Sequence, residues 1–334
     1  MLELNQLPQD SQLLPWHTDV WKRITGRFPE LGHALLLHGK QGAGKQAFAM
    51  HFTKWLLCSN KQAQAACGKC SSCAWIHAGT HPQVKIIQAE WDEKKQAHSM
   101  IKIDQIRDLN DFVQQTVEGW RVVLIYPAEQ LNIAASNALL KTLEEPGERV
   151  ILILVSDAML KLSATIRSRV QQFALDRMQA SEALAYLAQE LKDSTQQQLE
   201  IALALSADMP IKAQQILQSE WFSQREAFAQ AWIDLVHYKN QPMKFSVSWL
   251  KQLDFKTVVL MIRYILQDMV AFKLQQPIKQ TDLPIEQLAN YYSLEQLFAI
   301  YEQINKMNQL LVQNVQMQLI FDELTMRLMN VVQK

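Results

Sequence analysis

The chain has 334 residues, of which 49% are hydrophobic and 20% are charged. This composition predicts two or three folded domains with sizeable cores and excludes a mainly disordered chain. Lys+Arg and Asp+Glu both number 33, so the formal net charge is zero. A protein that binds DNA mainly through non-specific phosphate contacts should be more basic, so the neutral balance disfavours that class, although it allows a local basic patch.

Targeting signals are not evident in the sequence. No stretch reaches the roughly 20 uninterrupted apolar residues that a membrane helix needs. Residues 1–10 contain no basic region followed by an apolar run, so we expect no signal peptide. These patterns predict a cytoplasmic protein without a membrane partner.

The first half of the chain alternates short apolar runs with helical spacing. Strands are predicted at 34–38, 84–87, 122–125, 150–155 and 170–173, and helices at 45–57, 101–115 and 133–143. Strands separated by helical patterns are typical of βαβ units. The first half is therefore predicted to be an α/β domain with a parallel sheet.

The second half differs in its glycine content. Residues 148–334 contain no glycine. Strand-rich and turn-rich folds usually need glycine at positive φ, so this half should be mostly helical apart from a strand or two near its start. Helices are predicted to begin near 181, to span 194–206, and to continue from about 211 to the end.

A glycine-rich turn follows the first predicted strand, where residues 39–46 read GKQGAGKQ. In the pattern GxxxxGK[ST], backbone N–H groups wrap a phosphate, the lysine reaches the terminal phosphates and the hydroxyl binds Mg²⁺. The candidate phosphate-binding residues are Gly39, Gly42, Gly44 and Lys45. Because Gln46 replaces the hydroxyl residue, the pattern favours a relic loop with weak or no nucleotide binding.

The Asp-Glu pair that an active site of this class needs is also missing. An active nucleotidase of this class ends the strand at 122–125 in Asp-Glu, which serves Mg²⁺ and the attacking water. Here the strand is followed by Tyr126 and Pro127, and Glu129 lies three residues beyond the expected aspartate. Without these groups little electrostatic stabilisation remains, so we expect no ATP hydrolysis by the chain alone. The alternative is an active ATPase in which Gln46 and Glu129 substitute for them.

The cysteines form one cluster in the sequence: Cys58, Cys67, Cys70 and Cys73. Overlapping CxxC steps in a reducing compartment favour a metal over disulfides, and four thiolates suit a closed, structural Zn²⁺ site. Cys58 is the weakest ligand of the four because it ends an apolar helix, so His77 or His81 is the alternative fourth ligand. An iron–sulfur cluster is the minor alternative.

Several further segments carry a family resemblance. They are NALLKTLEEP at 137–146, TIRSR at 165–169, AGTHP at 78–82 and IDQIR at 103–107. Together with the cysteine cluster after the first helix of the core, they resemble the bacterial clamp-loader subunits of the AAA+ superfamily. The resemblance covers about the first half of the chain, and the helical remainder agrees with the family in length and class.

The resemblance implies an architecture. It implies an α/β AAA+ core over 1–174, with a P-loop NTPase-like parallel sheet and an inserted zinc module at about 58–73. A small helical lid domain would follow over 175–212, and an all-α C-terminal collar or oligomerisation domain over 213–334. Lys212 would be at most a partial substitute for the arginine that the family carries in its lid.

The resemblance also implies a function. Within the family, a phosphate loop without its hydroxyl residue and a missing Asp-Glu pair are typical of a subunit that does not hydrolyse ATP. Such a subunit is a stator of the ring that loads the sliding clamp onto primed DNA. The implied partners are the gamma/tau and delta subunits, with the clamp and DNA reached through the assembled DNA polymerase III holoenzyme. Arg169 of the Ser-Arg motif would act as an arginine finger in trans, on ATP bound to a neighbour. Val170 replaces the cysteine that usually closes this motif.

Two other functions stay open at this point. One is an active, gamma/tau-like ATPase with a degenerate site. The other is a zinc-containing nucleic-acid-binding protein, which should bind DNA tightly by itself and lose affinity steeply with salt.

Overall fold

A computed structural model describes residues 12–89, 91–92, 97–115, 117–238, 242–310 and 317–329. The chain divides into two compact units. The first ends at Tyr186 and also includes Met209–Ile211, and the second comprises Leu187–Asp208 and the residues from Lys212 onward. The boundaries of the predicted lid and collar domains stay predictions.

Strands occur only in the first unit among the described residues. They are β1 (Ala34–His38), β2 (Val84–Gln88), β3 (Trp91–Asp92), β4 (Ala97–His98), β5 (Arg121–Tyr126), β6 (Val150–Ser156) and β7 (Gln171–Ala174). Five of them form a sheet in the order β2-β5-β6-β1-β7, in which every neighbouring pair is parallel. The predicted parallel sheet is therefore confirmed. The antiparallel β3–β4 pair was not predicted.

Helices cover both faces of the sheet. Those of the first unit are α1 (Thr18–Thr25), α2 (Lys45–Leu57), α3 (Ser71–His77), α4 (Ile103–Gln114), α5 (Ile133–Glu144), α6 (Ala164–Arg167) and most of α7 (Ala180–Glu190). Leu35 and Leu37 of β1 belong to a core with α1 and α2, whereas Leu36 belongs to a second core with α4 and α5. Since side chains alternate along a strand, a sheet buried on both faces needs the continuous apolar runs seen in the sequence.

An aromatic cluster fixes the N-terminal part of the first unit. Trp21 of α1 is 1% exposed and packs edge-on against Phe48, Phe52 and Trp55 of α2. Such pairs add stability beyond the area that they bury. The contact holds α1, which the sequence analysis did not identify, against the helix that begins at the phosphate loop.

The sheet register decides which residues share its carboxyl edge. His38 at the end of β1 pairs with Ser156 at the end of β6, and Ile125 near the end of β5 pairs with Leu154. Because parallel strands end at the same edge, the segments after β1, β5 and β6 come together there. This edge is where α/β folds of this kind bind ligands.

The second unit is helical throughout its described residues. It contains α8 (Gln196–Leu205), most of α9 (Pro210–Gln218), α10 (Glu220–Tyr238), α11 (Pro242–Gln252), α12 (Phe255–Lys273), α13 (Ile285–Asn290), α14 (Leu294–Leu310) and α15 (Met317–Leu328). Trp232 donates to Tyr292 Oη at 2.8 Å, and Asp268 accepts the N–H groups of Lys279 and Gln280. The predicted helical second half is therefore confirmed.

The described helices were also compared with the dimensions of a bilayer. None of them is both long enough and apolar enough to cross a membrane.

Candidate functional site

The phosphate loop connects β1 to α2, in the strand–loop–helix order that the sequence predicts. Its three glycines all have positive φ: 145° at Gly39, 89° at Gly42 and 83° at Gly44. A Cβ added to Gly44 would lie 2.4 Å from Leu14 Cδ1, so conformation and space both require glycine there. The loop thus keeps a shape that could present backbone N–H groups at the start of a helix.

Lys45 is held by the protein itself. Its ammonium nitrogen lies 2.9 Å from the carbonyl oxygen of Gly39, 2.7 Å from that of Lys40 and 2.7 Å from Asp157 Oδ1. The side chain is only 3% exposed. An ammonium group has three N–H donors, and here each has an acceptor within the chain.

The segments after β5 and β6 bring acidic groups to this edge. The backbone N–H of Asp157 donates to Glu129 Oε1 at 3.1 Å. A single helical turn at Ala128–Gln130 follows Pro127, and it holds Glu129 within hydrogen-bonding distance of the backbone of Asp157. Burial, with the nearby charges of Asp157 and Glu129, raises the pKa of Tyr126 to about 12, so its phenol is neutral at pH 7.

The segment before α1 closes the other side of the loop. Trp16 Nε1 and His17 Nε2 both donate to the carbonyl oxygen of Ala43, at 2.9 and 2.8 Å. His17 is fully buried, and this burial lowers its pKa to about 4. The N–H of Ile211 donates to the carbonyl of Gly42 at 3.2 Å. The sequence analysis found neither these residues nor Asp157. Only the position of Asp157 two residues after the predicted strand at 150–155 could have indicated it.

The four cysteines come together around the end of α2 and the start of α3. Their Sγ atoms all lie within 4.8 Å of one another, with 3.9 Å between Cys58 and Cys70 and 3.5 Å between Cys70 and Cys73. A tetrahedral metal with bonds of about 2.3 Å to sulfur places its ligand atoms about 3.8 Å apart. The cluster can therefore hold a metal ion.

Hydrogen bonding helps to decide the fourth ligand. His81 uses both ring nitrogens elsewhere, since Nε2 contacts Ser72 Oγ at 2.9 Å and Nδ1 accepts the N–H of Gln83 at 3.1 Å. Cys58 Sγ accepts the N–H of Cys67 at 3.2 Å and belongs to the cluster. The geometry therefore favours Cys58 over His81.

The acidities of the thiols diverge within this cluster. The N–H of Cys73 lowers the pKa of Cys70 to about 6, whereas burial and then the Cys70 thiol raise the pKa of Cys73 to about 12. Closely spaced thiolates repel one another, so only some of them ionise in the absence of a cation. A divalent metal would remove this conflict, which makes the donor set chemically suited to one.

Arg169 lies at the surface just after α6. Its Nε and Nη2 atoms contact Glu144 Oε1 at 2.9 and 2.7 Å, and Nη1 donates to the carbonyl of Thr165 at 3.1 Å. The side chain is 37% exposed. Val170, next to it, is buried. The guanidinium is thus oriented by its own chain and still accessible from outside.

Known proteins resemble this chain along much of its length. A family model described as DNA polymerase III, delta subunit, matches residues 21–179. DNA polymerase III subunit delta prime of Pseudomonas aeruginosa is 41% identical over 208 residues, which are 62% of this chain and 62% of that protein. The Haemophilus influenzae delta prime subunit is 34% identical over 227 residues, 66% of this chain and 67% of that protein.

The chain belongs to the family of DNA polymerase III delta prime subunits. The resemblance seen in the sequence is thereby confirmed. Among relatives of another type, the tau/gamma subunit of H. influenzae is 38% identical over 162 residues, 47% of this chain and 22% of that protein. The chain spans a little less than two thirds of the P. aeruginosa delta prime subunit.

We expect acid to destabilise the loop region through His17. The pKa of this histidine is near 6.5 in the unfolded chain and about 4 in the folded chain. The free energy of unfolding is therefore highest above pH 6.5 and decreases as the pH falls towards 4. The loss amounts to about 3 kcal/mol. Urea unfolding at several pH values measures this effect. The free energy of unfolding should depend less on pH in His17→Asn, whose side chain cannot titrate in this range, than in the wild type. Equal pH dependence would contradict the assignment.

Proposed function

We propose that the chain is a non-hydrolysing stator of the clamp loader, the ring that loads the sliding clamp onto primed DNA. The observation that carries the proposal is the set of groups around Lys45. Gln46 offers no hydroxyl to Mg²⁺, and Tyr126 and Pro127 stand where the metal and water ligands of an active site belong. Membership of the delta prime family supports this assignment.

The electrostatics of the site support the same conclusion. Phosphoryl transfer relies on Mg²⁺ and cations to stabilise charge that spreads over the phosphate oxygens. The phenol of Tyr126 is neutral at pH 7 and is a poor metal ligand. Lys45, the lysine that the GxxxxGK pattern directs at the terminal phosphates, already contacts Asp157. The site therefore lacks most of the stabilisation that hydrolysis requires.

An active, gamma/tau-like ATPase is the second candidate. One observation favours it, because the carboxylate of Glu129 lies beside Asp157 and its Oε2 atom is buried without a hydrogen-bond partner among the described residues. Glu129 could then replace a catalytic carboxylate. Gln46 and the pairing of Lys45 with Asp157 count against this reading.

The purified chain should hydrolyse no ATP above background, with or without primed DNA, because neither metal-binding group is present. A steady-state phosphate-release assay tests this, with Lys45→Ala as the matched control that defines the background. Turnover in the wild type that disappears in Lys45→Ala would overturn the stator proposal in favour of the ATPase.

We further propose that Arg169 acts in trans on ATP bound to a neighbouring gamma/tau subunit. An arginine finger must reach the partner's nucleotide, which requires exposure, and must hold one orientation, which Glu144 and Thr165 provide. The exposed pair with Glu144 contributes little to stability by itself. The guanidinium can therefore exchange this carboxylate for a phosphate at low cost.

Arg169→Ala should leave the fold intact and slow hydrolysis at the neighbouring site by roughly 10³-fold, the scale of an arginine finger. Single-turnover ATP hydrolysis by the reconstituted clamp loader measures this effect. Arg327→Ala is a matched control, because Arg327 also pairs with an exposed glutamate, Glu323. Equal rates for Arg169→Ala and the wild type would refute the finger role.

We propose that Zn²⁺ occupies the cysteine cluster and stabilises the module at about 58–73. The support is the closed set of four sulfur atoms, which leaves no ligand position open for catalysis. When bound, the ion supplies the charge that lets all four thiols ionise. Its role is structural.

Metal analysis should find about one zinc per purified chain. Cys70→Ser should lose most of this metal and melt at a lower temperature, because one ligand of the tetrahedron is gone. Ser71→Ala, a change at the adjacent exposed residue, should keep both the metal and the melting temperature. Carefully purified wild type without zinc would reject the site.

The remaining assignments complete the proposal. We propose that 175–212 form a helical lid and 213–334 a collar through which the ring assembles. The partners would be gamma/tau and delta subunits, with clamp and primed DNA reached through the complex. The helical second unit and the delta prime relatives support this organisation.

A further inference from the structure

We infer that Asp157 is the residue that excludes phosphate from the loop, because its carboxylate lies on Lys45 in the place of a phosphate group. Removing that carboxylate should turn the loop into a phosphate-binding site. The inference rests on the proposed function and deepens it, because that proposal explains why ATP is not hydrolysed but does not say which residue keeps phosphate out of the loop.

The first argument is the saturation of Lys45. Its Nζ atom contacts Gly39 O, Lys40 O and Asp157 Oδ1, all within 2.9 Å. Two of these acceptors are neutral carbonyls, and only Asp157 carries a charge. A charge-assisted bond of this length is stronger than a neutral one, so a phosphate oxygen would have to displace the carboxylate to reach the ammonium.

The second argument is that the backbone places Asp157 there. It directly follows Ser156, which pairs with His38 in the sheet, and Gly39 begins the loop directly after His38. Its N–H is also fixed by Glu129 Oε1 at 3.1 Å. The carboxylate therefore reaches Lys45 from a position set by the sheet.

The third argument is the balance of charge at this edge. Asp157 contacts the ammonium of Lys45, Glu129 accepts the N–H of Asp157, and Asp176 accepts the N–H of Lys40 at 3.0 Å. Tyr126, at the end of β5, is neutral. A phosphate chain would add negative charge next to these carboxylates, and Gln46 offers no hydroxyl to a compensating Mg²⁺. Like charges repel one another strongly in a partly buried site, so these carboxylates weaken the binding of phosphate.

The rest of the loop is built to bind an anion. Gly44, with φ of 83°, precedes α2, a helix of 13 residues. The amino end of such a helix carries partial positive charge and unpaired N–H groups. Asp176 Oδ2 already accepts the N–H of Lys40 in the loop at 3.0 Å, so Asp157 is the carboxylate that contacts the ammonium of Lys45 itself.

Isothermal titration calorimetry of the full chain with inorganic tripolyphosphate tests the inference. Asp157→Asn and Asp157→Ala should bind at least roughly tenfold more tightly than the wild type, and the alanine variant more so, because asparagine can still accept a bond from Lys45. Adding Lys45→Ala to Asp157→Ala should abolish the gain. Asp19→Asn, which removes an exposed carboxylate from α1 of the same unit, should bind as weakly as the wild type.

Two results would overturn the inference. In the first, Asp157 variants that are folded by circular dichroism and melting temperature bind tripolyphosphate no better than the wild type. The exclusion of phosphate would then be due to the packing of Leu14 and His17 against the loop. Asp19→Asn could gain as much as Asp157→Asn, which would show a general charge effect. The two proposals fail in different measurements. ATP hydrolysis by the wild type would refute the stator proposal, whereas unchanged tripolyphosphate affinity in the Asp157 variants would refute only the inference about Asp157.

Discussion

The parallel register at the centre of the sheet is the constraint on which the site depends. Pairing of His38 with Ser156 brings the start of the phosphate loop and Asp157 to the same edge. The buried ammonium of Lys45 then lies between two loop carbonyls and a carboxylate. A slip of one residue would turn every side chain of β6 to the opposite face, so both cores maintain this contact.

The same edge is compatible with the proposed stator, in which the loop keeps its shape without nucleotide chemistry. The glycines preserve the turn and α2 preserves the helix start, so the architecture persists. The stator proposal attributes the missing chemistry to three side chains: Gln46 in the first turn of α2, Tyr126 at the end of β5 and Asp157 after β6. The scaffold and its catalytic groups are separable, because sheet packing does not require a metal ligand at the edge.

Two features outside the loop fit a role in assembly. The cysteine cluster lies between α2 and α3, where it can hold a metal ion and fix a segment that has little regular structure of its own. Arg169 is accessible and oriented by Glu144. For the proposed stator, rigidity and a correctly oriented arginine would matter more than turnover.

The sequence alone determined the parallel α/β half, the helical half, the phosphate loop with Gln46 in its last position, and the four-cysteine set. Each depends on local periodicity, glycine positions or spacing, which the chain order displays directly. Only the tertiary structure decided that Asp157 pairs with Lys45, that His17 packs on the loop, and that Glu129 lies beside Asp157. These contacts join residues far apart in sequence, and strand order and burial bring them together.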